Sequence, residues 1–327
     1  MSDLVDKQIP TLAVVMPNYN HARLLPRALD ALLKQSFKAS EIIVLDDCST
    51  DNSRDVLKDY ASRFPEMKVI ENVENLGAVG NMNKGLSLVN SDYVCYAAAD
   101  DFVHPGFFEK VISGLAKNRG LGLGFSVGEW IDEATGVVSH VGAGLSGEDE
   151  SLGCEALIEA EIGGRLMIPS NACIFRVDAL REVGGFDPQL KWHCDWFSMY
   201  TLAFRYGICF VPEPLAVFFM HAAGYSARTD EKVKEHEGVM KAIVDKLETP
   251  EFSDVRPAIQ ESGALFVFGK PMMNYLKSDS SLKGYLTAVF LKKCRWYAFK
   301  MAVKPLLPKW LAELYLKISG GRVTKKT

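Results

Sequence analysis

Four short, largely apolar runs constrain the fold more than any other feature of this chain: TLAVVMP (11–17), EIIVLDD (41–47), MKVIEN (67–72) and DYVCYAAA (92–99). Each has strand length, and an uninterrupted apolar run is what a strand covered on both faces requires. Between them lie helical patterns. Leu24, Leu25, Ala28, Leu29, Leu32 and Leu33 fall on one stripe, STDNSRDVLKDYASRF opens with capping residues, and a third helix is expected around 78–89. Strands alternating with helices predict an α/β fold: a Rossmann-like, mostly parallel central sheet joined by crossover helices.

Ligands of such sheets sit beyond the carboxyl ends of the strands. Three polar clusters fall there: PNYN (17–20), DDCSTD (46–51) and ADD (99–101). Two of them hold adjacent aspartates, Asp46–Asp47 and Asp100–Asp101. Neighbouring carboxylates repel and are costly to bury, and a divalent cation shared with a phosphate relieves both penalties. Mg²⁺ binds through one or two carboxylates plus substrate phosphates, which suits so sparse a set. One member of the first pair can accept from a base N–H or a ribose hydroxyl, or cap the following helix. Tyr19 offers a ring for base stacking or for packing on the sheet rim. The glycines of NLGAVGNMNKG (75–85) match neither nucleotide-loop fingerprint. His193, Cys194 and Asp195 are contiguous, so they cannot all face one zinc ion.

The blocks VVMPNYN, VLDDCSTDNS, ENLGAVGNMNKGL, YAAADD, PSNACIFR, VGGFDP, HCDW and VPEPLAVFFMH occur in an order and spacing that resembles the family 2 glycosyltransferases, over roughly residues 10–225. The resemblance implies a GT-A fold and inverting transfer of a sugar from a nucleotide-diphosphate donor, usually a UDP or dTDP sugar, with Mn²⁺ or Mg²⁺ as cofactor. Carried over by position, Asp101 is the expected metal ligand, with His221 near the diphosphate as a second. Asp100 is expected at the ribose and the metal water, and Asp47 at the base, flanked by Pro17 and Tyr19. Asn20 and Asn83 complete the expected nucleotide-binding set, and Asp195 of HCDW is the expected catalytic base. Many members carry Glu-Asp where this chain has Cys194–Asp195, and Arg-Asn where it has Met82–Asn83.

The sequence divides into an expected transferase domain (1–227) and a helical, basic extension (228–327). From Lys270 onward there are 13 Lys/Arg against only Asp279 and Glu313, a balance of +11 in a chain whose net charge is −4. Lys and Arg interleaved with Trp, Tyr, Phe and Leu suit helices lying on an anionic membrane surface, and equally a helical cap on the catalytic domain. No reading helix or stacking motif points to nucleic acid. The expected acceptor is a saccharide or a polyprenyl-linked saccharide in surface-polysaccharide synthesis. No run reaches the length of a membrane span, no leader pattern opens the chain, and seven cysteines without a CxxC pair suggest reduced thiols in the cytoplasm, peripheral to the inner face of the membrane. A non-catalytic nucleotide-sugar-binding or scaffold protein and a sugar nucleotidyltransferase are the competing readings.

Overall fold

The computed structural model describes residues 9–133, 136–147, 150–220, 230–303 and 323–325. Its first half follows the predicted alternation: β1 (Leu12–Asn18), α1 (Leu25–Leu33), β2 (Glu41–Asp46), α2 (Ser53–Arg63), β3 (Met67–Glu71), α3 (Gly77–Leu88) and β4 (Tyr93–Tyr96). These four strands are parallel, in the spatial order β3-β2-β1-β4. Leu12, Val14 and Met16 of β1 face a core shared with α1, while Ala13 and Val15 face a second core shared with α3; all five are fully buried. Burial on both faces explains the unbroken apolar run.

Past β4 the sheet changes direction. The chain continues through β5 (Phe102–Val103), α4 (Phe107–Lys117), β6 (Leu123–Asp132), β7 (Val137–Val141), β8 (Ser151–Leu152), α5 (Cys154–Ile162), β9 (Cys173–Arg176), α6 (Val177–Glu182), α7 (Cys194–Tyr206) and β10 (Ile208–Met220). β9 inserts between β4 and β6, antiparallel to both. β7 also pairs antiparallel with β6, whereas β10 runs parallel to β6 over almost its full length. A buried four-residue strand has no alternation to reveal its direction, so this reversal could not be read from NACIFR.

The C-terminal region is helical as expected: α8 (Asp230–Glu248), α9 (Arg256–Ser262), α10 (Gly269–Ser278) and α11 (Ala288–Val303), with a short β11 (Val323–Lys325) pairing β7. Val239, Ile243, Leu265, Met272 and Phe290 join the core that also holds Val15 and Phe175. All seven cysteines are free.

Two glycines of the 75–85 block show why it is not a phosphate loop. A Cβ on Gly85 would stand 2.3 Å from a Val15 methyl, so this residue lets α3 lie directly on β1. Gly77 has φ +69°, a left-handed conformation open to glycine, and its N–H points at Asp47.

Candidate active site

The loops that follow β1, β2 and β3 are tied into one shelf. Asp47 N–H donates to the Asn18 carbonyl at 2.8 Å, and the Asn75 amide donates to the Asp47 carbonyl at 3.1 Å. Asn20, in a left-handed conformation (φ 57°), accepts at its amide oxygen from the N–H groups of Thr50 (2.7 Å) and Asp51 (3.3 Å). Pro17 is half-buried near the end of β1, and Tyr19 stands 48% exposed on the shelf, where its ring is open to a planar group.

The carboxylates beneath the shelf are held firmly. Asp46 is wholly buried and accepts from the Asn18 amide at 2.9 Å, the Ser49 N–H at 3.1 Å and Arg54 at 3.1 Å. Burial pushes its pKa up, but Ser49, Asn18 and Arg54 outweigh that and hold it below the usual carboxylate range. Asp47 is 3% exposed and accepts from Asn72 (2.8 Å), from the Leu76 N–H (2.8 Å) and from the Gly77 N–H (2.9 Å). It therefore sits as an anion at the N-terminus of α3, a favourable place for negative charge. Burial again acts against ionisation, and Asn81, Leu76, Asn72 and Gly77 together keep the carboxyl below its ordinary value. A carboxylate offers about four acceptor positions, so little of Asp47 is left for a base. Asn83, expected beside the nucleotide, is engaged elsewhere. Its oxygen accepts from the Phe186 N–H at 2.9 Å and its nitrogen donates to the Phe186 carbonyl at 2.6 Å, pinning α3 to the GGF turn.

Asp100 and Asp101 occupy the turn from β4 to β5. Arg27 of α1 donates to the Asp100 carbonyl and lies over the rings of Phe219 (4.2 Å) and Phe102 (5.3 Å), bringing a cation to the turn. Asp100 is half-buried and Asp101 8% exposed. One Asp101 oxygen accepts from the Phe219 N–H at 3.0 Å and the other from the Asn171 amide. The carboxylate is thus held by the end of β10 on one side and the entry to β9 on the other.

Asp195 lies in the first turn of α7, where the helix end favours negative charge. Burial pushes its pKa above the usual carboxylate range, against the Trp196 N–H (2.7 Å) and the Ser170 hydroxyl, which stabilise the charged form. Ser170 and Asn171 are adjacent in the turn before β9, and the Ser170 hydroxyl lies 3.4 Å from the Asn171 oxygen. Asn171 of this dipeptide is bonded to Asp101, and the turn that carries both residues packs against α7, the helix of Asp195. Ser170 and Asn171 fall within the PSNACIFR block, which carries no site expectation. The available signal was two hydrogen-bonding residues immediately before a buried apolar run.

The acidic turn and Asp195 share the carboxyl-end side of the sheet with the shelf, whereas Asn83 belongs to the packing of α3. His221 lies outside the described residues. Among those residues no three His, Cys, Asp or Glu side chains form a cage able to hold a metal alone. Two adjacent carboxylates at this turn are a donor set of the kind that a hard cation such as Mg²⁺ completes with phosphate oxygens. A hollow of about 320 Å³ at the opposite, amino end of β4 is lined by Arg119, Arg176 and Arg181. There Arg176 donates to the Leu121 carbonyl and Arg181 to those of Leu86 and Val89, so these two guanidiniums brace the fold.

This mixed sheet, with its loops and carboxylate-bearing turns at the ligand edge, is the GT-A fold of glycosyltransferases, as the following likenesses show. Residues 13–184 match the model of glycosyl transferase family 2, and the chain belongs to that family. A glycosyltransferase of Nostoc sp. is 28% identical over 238 residues, covering 70% of this chain and 72% of its own. The teichuronic acid biosynthesis glycosyltransferase TuaG of Bacillus subtilis is 35% identical over a shorter stretch, 28% of this chain and 36% of its own. Among solved structures, S. aureus TarS 1–349 in complex with UDP-GlcNAc superposes with a TM-score of 0.61 at 16% identity, covering 84% of this chain and 78% of that one. The mannosyltransferase PcManGT of Pyrobaculum calidifontis, in complex with GDP-Man and Mn²⁺, superposes with a TM-score of 0.54 at 18% identity, covering 92% and 88%.

Proposed function

We propose that this chain is an inverting, metal-dependent glycosyltransferase that moves a sugar from a nucleotide-diphosphate donor, a UDP or dTDP sugar, to a hydroxyl of a saccharide or polyprenyl-linked acceptor in surface-polysaccharide synthesis. It works at the cytoplasmic face of the membrane. The observation that carries this reading is the turn at Ser170–Ala172, whose Asn171 bonds Asp101 while the turn packs against α7, the helix of Asp195, which supports a diphosphate-side carboxylate and a base facing one cleft. Complexes of structural neighbours with UDP-GlcNAc and with GDP-Man and Mn²⁺ support the donor class.

In this reading the nucleotide lies on the shelf, its base against Tyr19 and Pro17. Asp47 and Asn20 fix the loops that shape the shelf, with the last acceptor position of Asp47 available to a base N–H. Asp100 faces the ribose, and Asp101, with His221, would hold Mn²⁺ or Mg²⁺. That cation, when bound, supplies positive charge to the departing diphosphate. Asp195 takes the proton of the acceptor hydroxyl as its oxygen bonds to the anomeric carbon. The bond from that carbon to the phosphate oxygen breaks on the opposite face, and the nucleoside diphosphate leaves with the electron pair. Inversion requires no covalent nucleophile, so a single base suffices.

General-base removal costs about 10²–10⁴-fold. Asp195→Asn is therefore expected to bind donor as the parent does and to lose transfer by that factor. Transfer at the parent rate would refute the assignment. The released product separates the competing classes: nucleoside diphosphate marks a transferase, pyrophosphate a nucleotidyltransferase, and neither a binding protein.

A further inference from the structure

α11 carries lysine and arginine and no acidic residue: AVFLKKCRWYAFKMAV. Its first half is anchored. Phe290 is wholly buried, and Lys293 donates at 2.7 Å to Glu161, which is 2% exposed. Glu161 also accepts from the Tyr200 hydroxyl at 3.1 Å, and Tyr200 belongs to α7, the helix whose first turn holds Asp195. Burial pushes the Glu161 carboxyl up, against the pull of Lys293 and Tyr200.

The second half is largely exposed. Trp296, Tyr297 and Phe299 are 55%, 50% and 57% exposed, and the Trp296 and Phe299 rings stack at 5.7 Å. Lys292, Arg295, Trp296 and Phe299 stand at i, i+3, i+4 and i+7, which places them on one helical face. Lys292 and Arg295 are exposed on that face beside the aromatic rings. Three large aromatics within four residues, left in water at the end of a firmly anchored helix, need a partner.

We propose that this face of α11 is a docking surface for an anionic lipid bilayer, with Trp296 and Phe299 entering the headgroup region and Lys292 and Arg295 meeting lipid phosphates. Charge selects this occupant: the helix has no acid to complement basic groups of a protein partner, and the segment from Lys270 onward balances at +11. Aromatics at the boundary with cations alongside are the composition of an interfacial helix. Among the described residues no helix is long and apolar enough to cross a membrane, so the contact is one of lying on the surface. Through Lys293, Glu161 and Tyr200 the docked helix is braced against α7, which sets the Asp195 wall at a fixed attitude to the bilayer. This deepens the proposed use of a lipid-linked acceptor, but the contact holds or fails independently of the roles given to Asp101 and Asp195.

The test is flotation of the full chain with vesicles of phosphatidylcholine alone and of phosphatidylcholine with phosphatidylglycerol, at low and physiological salt. Salt-sensitive binding to the anionic vesicles is expected. The Lys292→Gln/Arg295→Gln variant should weaken it by about fivefold for each basic residue removed. Trp296→Ser/Phe299→Ser should abolish it. Both variants should release nucleoside diphosphate from soluble donor at the parent rate, which shows that they fold. Equal binding by parent and variants would place the contact elsewhere and overturn the proposal. So would absence of vesicle binding, RNA binding through the same residues, or self-association relieved by Trp296→Ser/Phe299→Ser.

Discussion

Two pairs of adjacent aspartates stand at strand ends in this chain, and in sequence they look alike. Asp46–Asp47 follows β2 and Asp100–Asp101 follows β4. The first pair is bonded to residues 18–81, the loops and helix ends immediately around it. It builds the shelf. The second pair draws partners from far along the chain: Asn171 and Phe219, which belong to the approach of β9 and the end of β10. Asn171 lies in the turn that packs against α7, the helix of Asp195. The segments that supply its donors set the first pair apart as architecture and leave the second as the proposed reaction site.

This contrast can be broken by substitution. The largest effect on folding is expected at the shelf. Asp47→Ala leaves the buried donors of Asn72, Leu76 and Gly77 without their acceptor, and each such loss costs about 1–3 kcal/mol. A loss of about 3 kcal/mol in urea unfolding is expected, against less than about 1 kcal/mol for Asp101→Asn, which keeps an oxygen acceptor. Because the pKa of Asp47 is lowered in the fold, its contribution is complete at neutral pH and disappears as pH falls through that lowered value. The Asp47→Ala variant should therefore lose less stability on acidification than the parent. Equal stability of Asp47→Ala and Asp101→Asn would erase the distinction between the pairs.

Next in size is Asn171. Asn171→Ala removes the donor that fixes Asp101, and about a tenfold fall in transfer is expected, equivalent to roughly 1.4 kcal/mol of positioning. Asn171→Gln should recover part of it if the amide itself matters. The smallest effect is expected at Ser170 and appears as a pH change. Asp195 must be ionised to accept a proton, so transfer should fall as pH drops through a value above the ordinary aspartate range. Ser170→Ala removes a hydroxyl that favours the charged form of Asp195 and should move that acid limb upward. An unmoved limb would mean that Ser170 does not touch the ionisation of the base.

These placements show which parts of the molecule could be read in advance. β1, β2 and β4 were legible because burial on both faces leaves an unmistakable apolar run, and the rule that ligands gather at carboxyl ends then located the clusters. What failed to show was tertiary commitment. Asn83 sits in a recognisable block, yet its amide is satisfied by Phe186, 103 residues away. Asp47 is similarly engaged by a loop about thirty residues on, and no local pattern announces that. The Ser170–Asn171 pair was invisible for the same reason, since its meaning depends on β9 inserting antiparallel beside β4. The charge excess of the C-terminal region was plain, whereas the brace from Lys293 to Glu161 spans 132 residues and exists only in the fold.

The central claim is that the acidic turn after β4, and not the one after β2, receives the donor diphosphate and its cation. Titrating donor nucleotide by calorimetry, with and without Mn²⁺, into the parent and Asp101→Asn addresses it directly. The account predicts Mn²⁺-dependent binding by the parent, lost in a well-folded Asp101→Asn. Undiminished Mn²⁺-dependent binding by that variant would contradict it.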